Sequence, residues 1–158
     1  MRRGHPVPVR EQKRALLHLG LVYKGLQYRD QAFGYLRQAW ALSREVFDPI
    51  LTIWESAGFA ELYFSTGELD EATALSRQAL DLARRKGLRG EVWYLLYLQG
   101  RILRQSGDIE GATKAFDEAV KVLKTIAAEL TDPTLKKSFL LDKHVVVETL
   151  NQLRNQCS

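Results

Sequence analysis

The fold is decided by Gly67-Glu68-Leu69-Asp70-Glu71-Ala72-Thr73-Ala74-Leu75-Ser76-Arg77-Gln78-Ala79-Leu80, because the pattern of this stretch returns at a fixed spacing. Forty residues downstream its beginning recurs as Gly107-Asp108-Ile109-Glu110-Gly111-Ala112, and Phe116 and Ala119 follow in register. Forty residues upstream, Gln27 takes the place of the opening glycine, and the later places are held by Asp30, Ala32, Leu36 and Ala39. Self-similarity with a period of this size is the signature of a solenoid, in which one structural unit stacks on the next.

Small residues recur within each unit at places where two helices would cross. Gly20, Ala60 and Gly100 are equivalent in the forty-residue register. Twelve residues after each of them comes an alanine, and a second alanine follows seven residues later: Ala32, Ala72, Ala112, Ala39, Ala79 and Ala119. Small residues allow two helices to approach closely. We therefore expect each unit to be a tight antiparallel helical hairpin.

Proline and glycine indicate where the helices begin and end. Asp48-Pro49 and Asp132-Pro133 are each typical of a helix start, with an aspartate cap before a proline in the first turn. Gly67, Gly87 and Gly107 predict helix ends, and Asp30 is the expected cap of the second helix. The expected organisation is a disordered leader at 1–8, hairpins at about 9–47, 48–87 and 88–130, and a capping segment at 131–158. We expect that cap to hold a short helix near 133–140 and a longer one at about 143–155.

Composition excludes several classes of protein. No apolar run approaches the eighteen residues of a membrane span, and the N-terminus lacks the apolar core of a signal peptide, so a cytoplasmic location is expected. Cys157 is the single cysteine and cannot form an intrachain disulfide. Residues 1–48 carry nine Lys or Arg against four Asp or Glu, while the rest of the chain is close to neutral. These basic residues alternate with core positions, which favours a solvated helix face.

The small and large residues in register over residues 11–126 resemble the tetratricopeptide repeat. The forty-residue period resembles the long units of kinesin light chains and of many bacterial signalling proteins. The resemblance implies an all-α, right-handed α-solenoid of three repeats with a C-terminal helical cap. It also implies a protein or peptide partner and a non-catalytic scaffold role within a larger regulatory protein of bacteria.

In such arrays the first helix of each hairpin lines the concave surface. By register, the expected partner-binding residues are Arg14, Lys24, Trp54, Glu61, Tyr94, Tyr97, Arg101 and Arg104, with Leu17, Leu21, Ala57 and Phe64 beside them. Aromatic and arginine side chains are common anchors in protein interfaces, and their charge favours an acidic peptide. Arrays that clamp a C-terminal carboxylate use Lys and Asn where this chain has Leu17 and Leu21, which disfavours that mode. The alternative for the aromatic residues is packing in the core.

No catalytic motif, metal-ligand spacing or phosphate-binding glycine loop occurs in the sequence, so we expect no catalytic residue, metal or cofactor. Two alternatives to peptide binding remain open. The first is self-association through an uncapped N-terminal hairpin. The second and weaker alternative is contact with nucleic acid through basic residues of the first repeat, namely Arg2, Arg3, Arg10, Lys13 and Arg14.

Overall fold

The computed structural model describes residues 4–142 and the separate positions 144, 147, 148, 151, 152 and 155. These residues form α1 (Val9–Gly25), α2 (Arg29–Ala41), a 3-10 helix (Leu42–Arg44), α3 (Pro49–Thr66), α4 (Leu69–Arg85), α5 (Arg89–Gln105), α6 (Ile109–Glu129) and α7 (Pro133–Asp142). The described part of the chain contains no strand. The expected all-α repeat fold is therefore confirmed. The chain divides into two compact units, residues 1–75 and 76–158, called unit 1 and unit 2 below.

Close helix crossings occur where the sequence predicts them. A Cβ placed on Gly20 of α1 would lie 2.8 Å from the side chain of Leu36 in α2. A Cβ on Gly100 of α5 would lie 2.8 Å from the ring of Phe116 in α6. Both contacts are shorter than ordinary packing distances, so neither position accommodates a larger residue without movement of its neighbour. The glycines thus allow α1 to pack on α2, and α5 on α6.

The helix ends follow the predicted caps with one exception. The carboxylate of Asp48 accepts hydrogen bonds from the backbone N–H groups of Ile50 (3.0 Å) and Leu51 (3.2 Å), which confirms it as the cap of α3. Asp30 was expected to cap α2, and this is wrong. The helix begins one residue earlier, at Arg29, so Asp30 lies in its first turn, where a negative charge suits the helix dipole.

Several turns that close the helices adopt the left-handed conformation. Gly67, Gly87 and Gly107 have φ values of 82°, 67° and 90°. Gln27 stands in register with Gly67 and Gly107 and adopts the same conformation, with φ of 65°. A residue with a Cβ is strained there, so the repeat geometry imposes this turn even where the sequence lacks glycine.

Unit 1 has an aromatic and aliphatic core between α1, α2 and α3. Its buried members include Leu17, Ala32, Leu36, Ala39, Leu51, Phe59 and Leu62. The ring of Phe59 in α3 packs near Phe33 and Trp40 of α2, with centroids 6.2 and 6.4 Å apart. The first helix of the second hairpin, α3, thus packs on the aromatic face of α2.

Unit 2 is built on α5 and α6, with α7 against α6. Leu95, Leu98, Ile102 and Phe116 are fully buried there. Asp132 accepts backbone hydrogen bonds from Thr134 (2.8 Å) and Leu135 (3.2 Å), which confirms the predicted cap and places the expected short helix at Pro133–Asp142. The longer helix expected at 143–155 lies outside the described residues, apart from the separate positions named above.

Candidate peptide-binding groove

A groove of about 700 Å³ lies between α1 and α3 in unit 1. We call it the α1–α3 groove and define it by its lining residues: Pro8, Arg10, Glu11, Arg14, Leu17, His18, Leu21, Asp48, Ile50, Leu51 and Trp54. Four of them, Arg14, Leu17, Leu21 and Trp54, are positions that the repeat register predicts to line the binding surface. The groove has the size of sites that hold small ligands or a few peptide residues.

The lining is apolar at its base and charged at one end. Leu17 is buried, while Leu21 and Trp54 are partly exposed. Ile50 projects from the first turn of α3 and is 46% exposed. Trp54 also packs against the core of unit 1. The two readings of this tryptophan, core residue and binding residue, are therefore compatible, because one side of the side chain packs and the other lines the groove.

The charged end is dominated by the pair of Arg10 and Asp48. Arg10 Nη2 lies 2.6 Å from Asp48 Oδ2, and Arg10 Nε donates to the same oxygen at 2.9 Å. Burial favours a higher pKa for Asp48, but the Arg10 guanidinium and the N–H groups of Leu51 and Ile50 outweigh it and lower the pKa. Asp48 therefore carries its charge at neutral pH, and one aspartate both caps α3 and orients Arg10 along the groove.

Lys24 and Glu61, both predicted to line the surface, form an ion pair with each other. The pair joins α1 to α3. Each of the two charges is therefore compensated by the other in the unliganded chain, and the pair links the two helices of the groove. Ala57, predicted beside them, is buried in the core.

Unit 1 contains a buried polar cluster that was not predicted from the sequence. Lys13 and Glu55 are both fully buried, and Lys13 Nζ lies 3.2 Å from Glu55 Oε1. Lys13 donates a hydrogen bond of 2.7 Å to Ser43 Oγ, which in turn lies 3.4 Å from Glu55 Oε2. Burial raises the pKa of Glu55, and the Lys13 ammonium and the Ser43 hydroxyl offset this only in part.

Lys13 is an exception to the expected solvated face of the first repeat, on which Arg10, Arg14, Arg29, Arg37 and Arg44 are exposed. Lys13, which the nucleic-acid alternative requires at the surface, lies in the core because its charge is compensated there by Glu55. Arg10 is engaged by Asp48. Arg14 is exposed, while Arg2 and Arg3 lie outside the described residues. The basic surface available to a polyanion is thus smaller than the sequence suggests.

The other predicted positions lie on α5 in unit 2 and are described by themselves. The ring of Tyr97 packs edge-on against Phe116 at 5.6 Å, so it contributes to the core of this unit. The guanidinium of Arg101 lies 5.7 Å from the centre of the Tyr97 ring, a cation–π arrangement. Tyr94 is partly exposed beside Trp93, with ring centroids 5.9 Å apart. Arg104 is exposed in the last turn of the helix.

The described residues contain no cluster of three or more His, Cys, Asp or Glu side chains that could hold a metal ion. None of the helices described here combines the length and the apolar character needed to cross a membrane. The candidate site is therefore a groove lined by apolar, aromatic and charged side chains between two helices. Together with the repeated hairpins, it defines the chain as a helical-repeat protein.

Comparison with known proteins supports this class. Models of the tetratricopeptide repeat match residues 14–49, 58–86 and 94–122. The chain belongs to the tetratricopeptide-repeat family, as its sequence pattern indicated. Repeats of this family generally mediate protein–protein interactions. No curated protein sequence matches the chain.

Two solved structures share the fold. The N-terminal domain of stress-induced protein-1 (STI-1) from C. elegans is 14% identical and superimposes with a TM-score of 0.61, over 94% of this chain and 99% of that one. BtubC (BKLC) from P. vanneervenii is 18% identical, with a TM-score of 0.57, over 91% of this chain and 67% of that one. At these identities the similarity concerns the fold alone.

Proposed function

We propose that the chain is a non-catalytic scaffold module that binds a short peptide segment of another protein in the α1–α3 groove. One observation carries this proposal: the groove is lined by Arg14, Leu17, Leu21 and Trp54, positions that the repeat register selects independently of any coordinates. The groove also combines exposed apolar area with a charged end, as peptide-binding sites do.

The charges of the groove limit the chemistry of its ligand. Arg10 and Asp48 neutralise each other, which leaves Glu11 and Arg14 as the other charged lining residues. Arg14 is exposed and forms no ion pair with any described residue. We therefore propose a mainly apolar peptide that carries one acidic residue opposite Arg14. This is less acidic than the sequence alone suggests.

In unit 2, Tyr94, Arg101 and Arg104 stay proposed contact residues for a protein ligand. Their support is the repeat register and their partial or full exposure. The long repeat unit further supports the proposal that the chain is one module of a larger bacterial regulatory protein that acts in the cytoplasm.

The proposal can be tested by selecting peptides from a random phage-displayed library on the full chain. The test variant is Arg14→Glu/His18→Asp, because both residues line the groove and are exposed. The control is Arg29→Glu/Gln31→Asp, which makes the same change of charge at exposed positions of α2. We expect selected peptides to bind the wild type and the control and to lose about tenfold or more in affinity for the test variant. Peptides that bind both variants equally would refute the assignment of the site.

Self-association is a second candidate, favoured by an apolar stripe on α1. Leu19, Val22 and Leu26 are 41%, 56% and 59% exposed. One repeat later, Phe59 and Leu62 stand in register with the first two, and both are buried. In α3 the covering helix is α2, through Phe33 and Trp40. Among the described residues, no helix covers the stripe on α1, and a second copy could cover it.

Light scattering over a range of concentrations tests this candidate, with Val22→Glu as the variant. Self-association through α1 predicts a mass that rises with concentration for the wild type and stays monomeric for Val22→Glu. A wild type that is monomeric at every concentration would exclude it.

A further inference from the structure

A second groove, of about 870 Å³, lies in unit 1 where α2 and the 3-10 helix meet α3. We call it the Trp40 groove. Its lining includes four apolar or aromatic residues, Trp40, Phe59, Tyr63 and Leu75, and two basic ones, Arg37 and Arg44. It shares no lining residue with the α1–α3 groove.

Trp40 is the most exposed aromatic residue of this lining. Its side chain is 46% exposed, yet its ring is held edge-on against the ring of Phe59, which is buried. An exposed tryptophan supported from below loses little conformational freedom when a ligand covers it. Residues of this type dominate the binding energy of many interfaces.

The charge of the Trp40 groove is of one sign. Its lining contains Arg37 and Arg44 but no carboxylate, whereas the α1–α3 groove contains both signs. Within the described part of the chain, neither arginine forms an ion pair. The guanidinium of Arg37 lies over the ring of Phe33, 5.5 Å from its centre. One repeat later, the equivalent of Arg44 is Arg84, which binds Glu118. The residue in register with Glu118 is Gln78, which carries no charge.

The spacing of the two arginines suggests the form of the ligand. Arg44 follows Arg37 by seven residue steps, four along α2 and three along the 3-10 helix. At about 1.5 and 2.0 Å per residue, these segments span about 12 Å. An extended peptide covers this distance in about four residues, at about 3.3 Å each, and side chains four residues apart lie on the same face of such a peptide. Trp40 lies between the two arginines along the chain, so a side chain between two carboxylates of the ligand would reach it.

We propose that the Trp40 groove binds an extended acidic peptide segment in which two carboxylates, four residues apart, flank a bulky apolar side chain. The carboxylates pair with Arg37 and Arg44, and the apolar side chain covers Trp40. This goes beyond the proposed function, because the surface is separate and the ligand has a different charge.

The test uses the full chain and a synthetic fluorescein-labelled peptide with two glutamates four positions apart and a leucine midway between them, so that all three side chains lie on one face of an extended peptide. Binding is measured by fluorescence anisotropy at low and at moderate salt. We expect saturable binding that weakens as salt rises, and an Arg37→Glu/Arg44→Glu variant that binds about tenfold more weakly or worse. The matched control, Arg29→Glu/Arg85→Glu, makes the same change of charge at exposed positions that line neither groove and should bind within about threefold of the wild type.

Three further outcomes would overturn the proposal. The first is the absence of saturable binding up to millimolar peptide at low salt. The second is equal binding of a peptide whose glutamates are replaced by glutamine, which would remove the role of charge. The third is a self-association of the chain that Trp40→Ala abolishes, since the groove would then belong to a second copy. Circular dichroism of each variant shows that its helices are retained, so that a loss of binding can be attributed to the site.

Discussion

Removing one partner of the buried Lys13–Glu55 pair should destabilise unit 1 far more than removing both. The two side chains are fully buried, so a charge left alone there cannot be hydrated. Truncating one member of a buried ion pair costs about 3–5 kcal/mol, whereas replacing both by apolar residues of similar volume is often neutral or stabilising. We therefore expect Glu55→Gln and Lys13→Met each to cost about 3–5 kcal/mol. The double variant Lys13→Met/Glu55→Leu should lie within about 1 kcal/mol of the wild type or above it.

The two single variants should also differ in their response to pH. Burial raises the pKa of Glu55 in the folded chain. A carboxyl group with a raised pKa stabilises the fold at pH values below its unfolded pKa, and this contribution is lost as pH rises through the folded pKa. In Lys13→Met the carboxylate has lost its counter-charge, so the penalty should shrink as pH is lowered. In Glu55→Gln the remaining group is an ammonium, so its penalty should not shrink in the same range.

The assay is equilibrium urea unfolding followed by tryptophan fluorescence. The chain has three tryptophans, of which Trp93 lies in unit 2. A Trp93→Phe background therefore restricts the signal to Trp40 and Trp54 in unit 1. Single variants that each lose less than about 1 kcal/mol, or a double variant whose loss equals the sum of both, would refute the reasoning.

Three other perturbations test local parts of the structure by the same unfolding measurement. Asp48→Asn keeps the cap of α3 but removes its charge. Because the pKa of Asp48 is lowered in the folded chain, the variant should be less stable than the wild type above pH 3.8, and this difference should vanish as pH falls further. An unchanged difference at low pH would contradict this. Gln27→Gly should stabilise the fold by up to about 1 kcal/mol, because it relieves a left-handed residue, and a loss of stability would show that the turn is not strained. Gly100→Ala should destabilise the fold by about 1 kcal/mol, since overpacking against Phe116 exceeds the gain in helix propensity. Gly34→Ala should stabilise the fold, because the added Cβ meets no other atom. Equal effects of the two variants would contradict the close crossing at Gly100.

The repeat register predicted the elements that depend on backbone geometry. The turn glycines, the small residues at helix crossings and the aspartate-proline caps follow from steric rules that act on single residues. They appear in the structure where expected. The left-handed conformation of Gln27 was not predicted. Asp30 does not cap α2 because the helix begins at Arg29. Alternative helix starts one or two residues apart differ little in free energy, so the sequence does not decide between them.

The buried ion pair was not predicted because charged side chains usually lie at the surface. The forty-residue register, however, indicates that these two positions are buried. Lys13 is equivalent to Ile53 and Trp93, and Glu55 is equivalent to Leu95; Ile53 and Leu95 are buried. Two opposite charges at core positions of neighbouring helices indicate a pair, because a lone charge would be too costly there.

The candidate site was predicted in part. The register selected four of the eleven residues that line the α1–α3 groove, Arg14, Leu17, Leu21 and Trp54, since lining positions repeat with the unit. It did not indicate that Lys24 and Glu61 would neutralise each other, or that Tyr97 would pack on Phe116. Such pairings depend on which side chains meet across helices. The sequence pattern of a single repeat does not indicate these contacts.

The central claim is that the α1–α3 groove binds a peptide, and the indole N–H signals of ¹⁵N-labelled chain test it most directly. Trp54 lines this groove, Trp40 lines the other groove, and Trp93 lies in unit 2. Titration with a peptide selected on the wild type should shift the Trp54 signal and leave those of Trp40 and Trp93 in place. A shift of Trp40 or Trp93 while Trp54 stays unchanged would contradict the account.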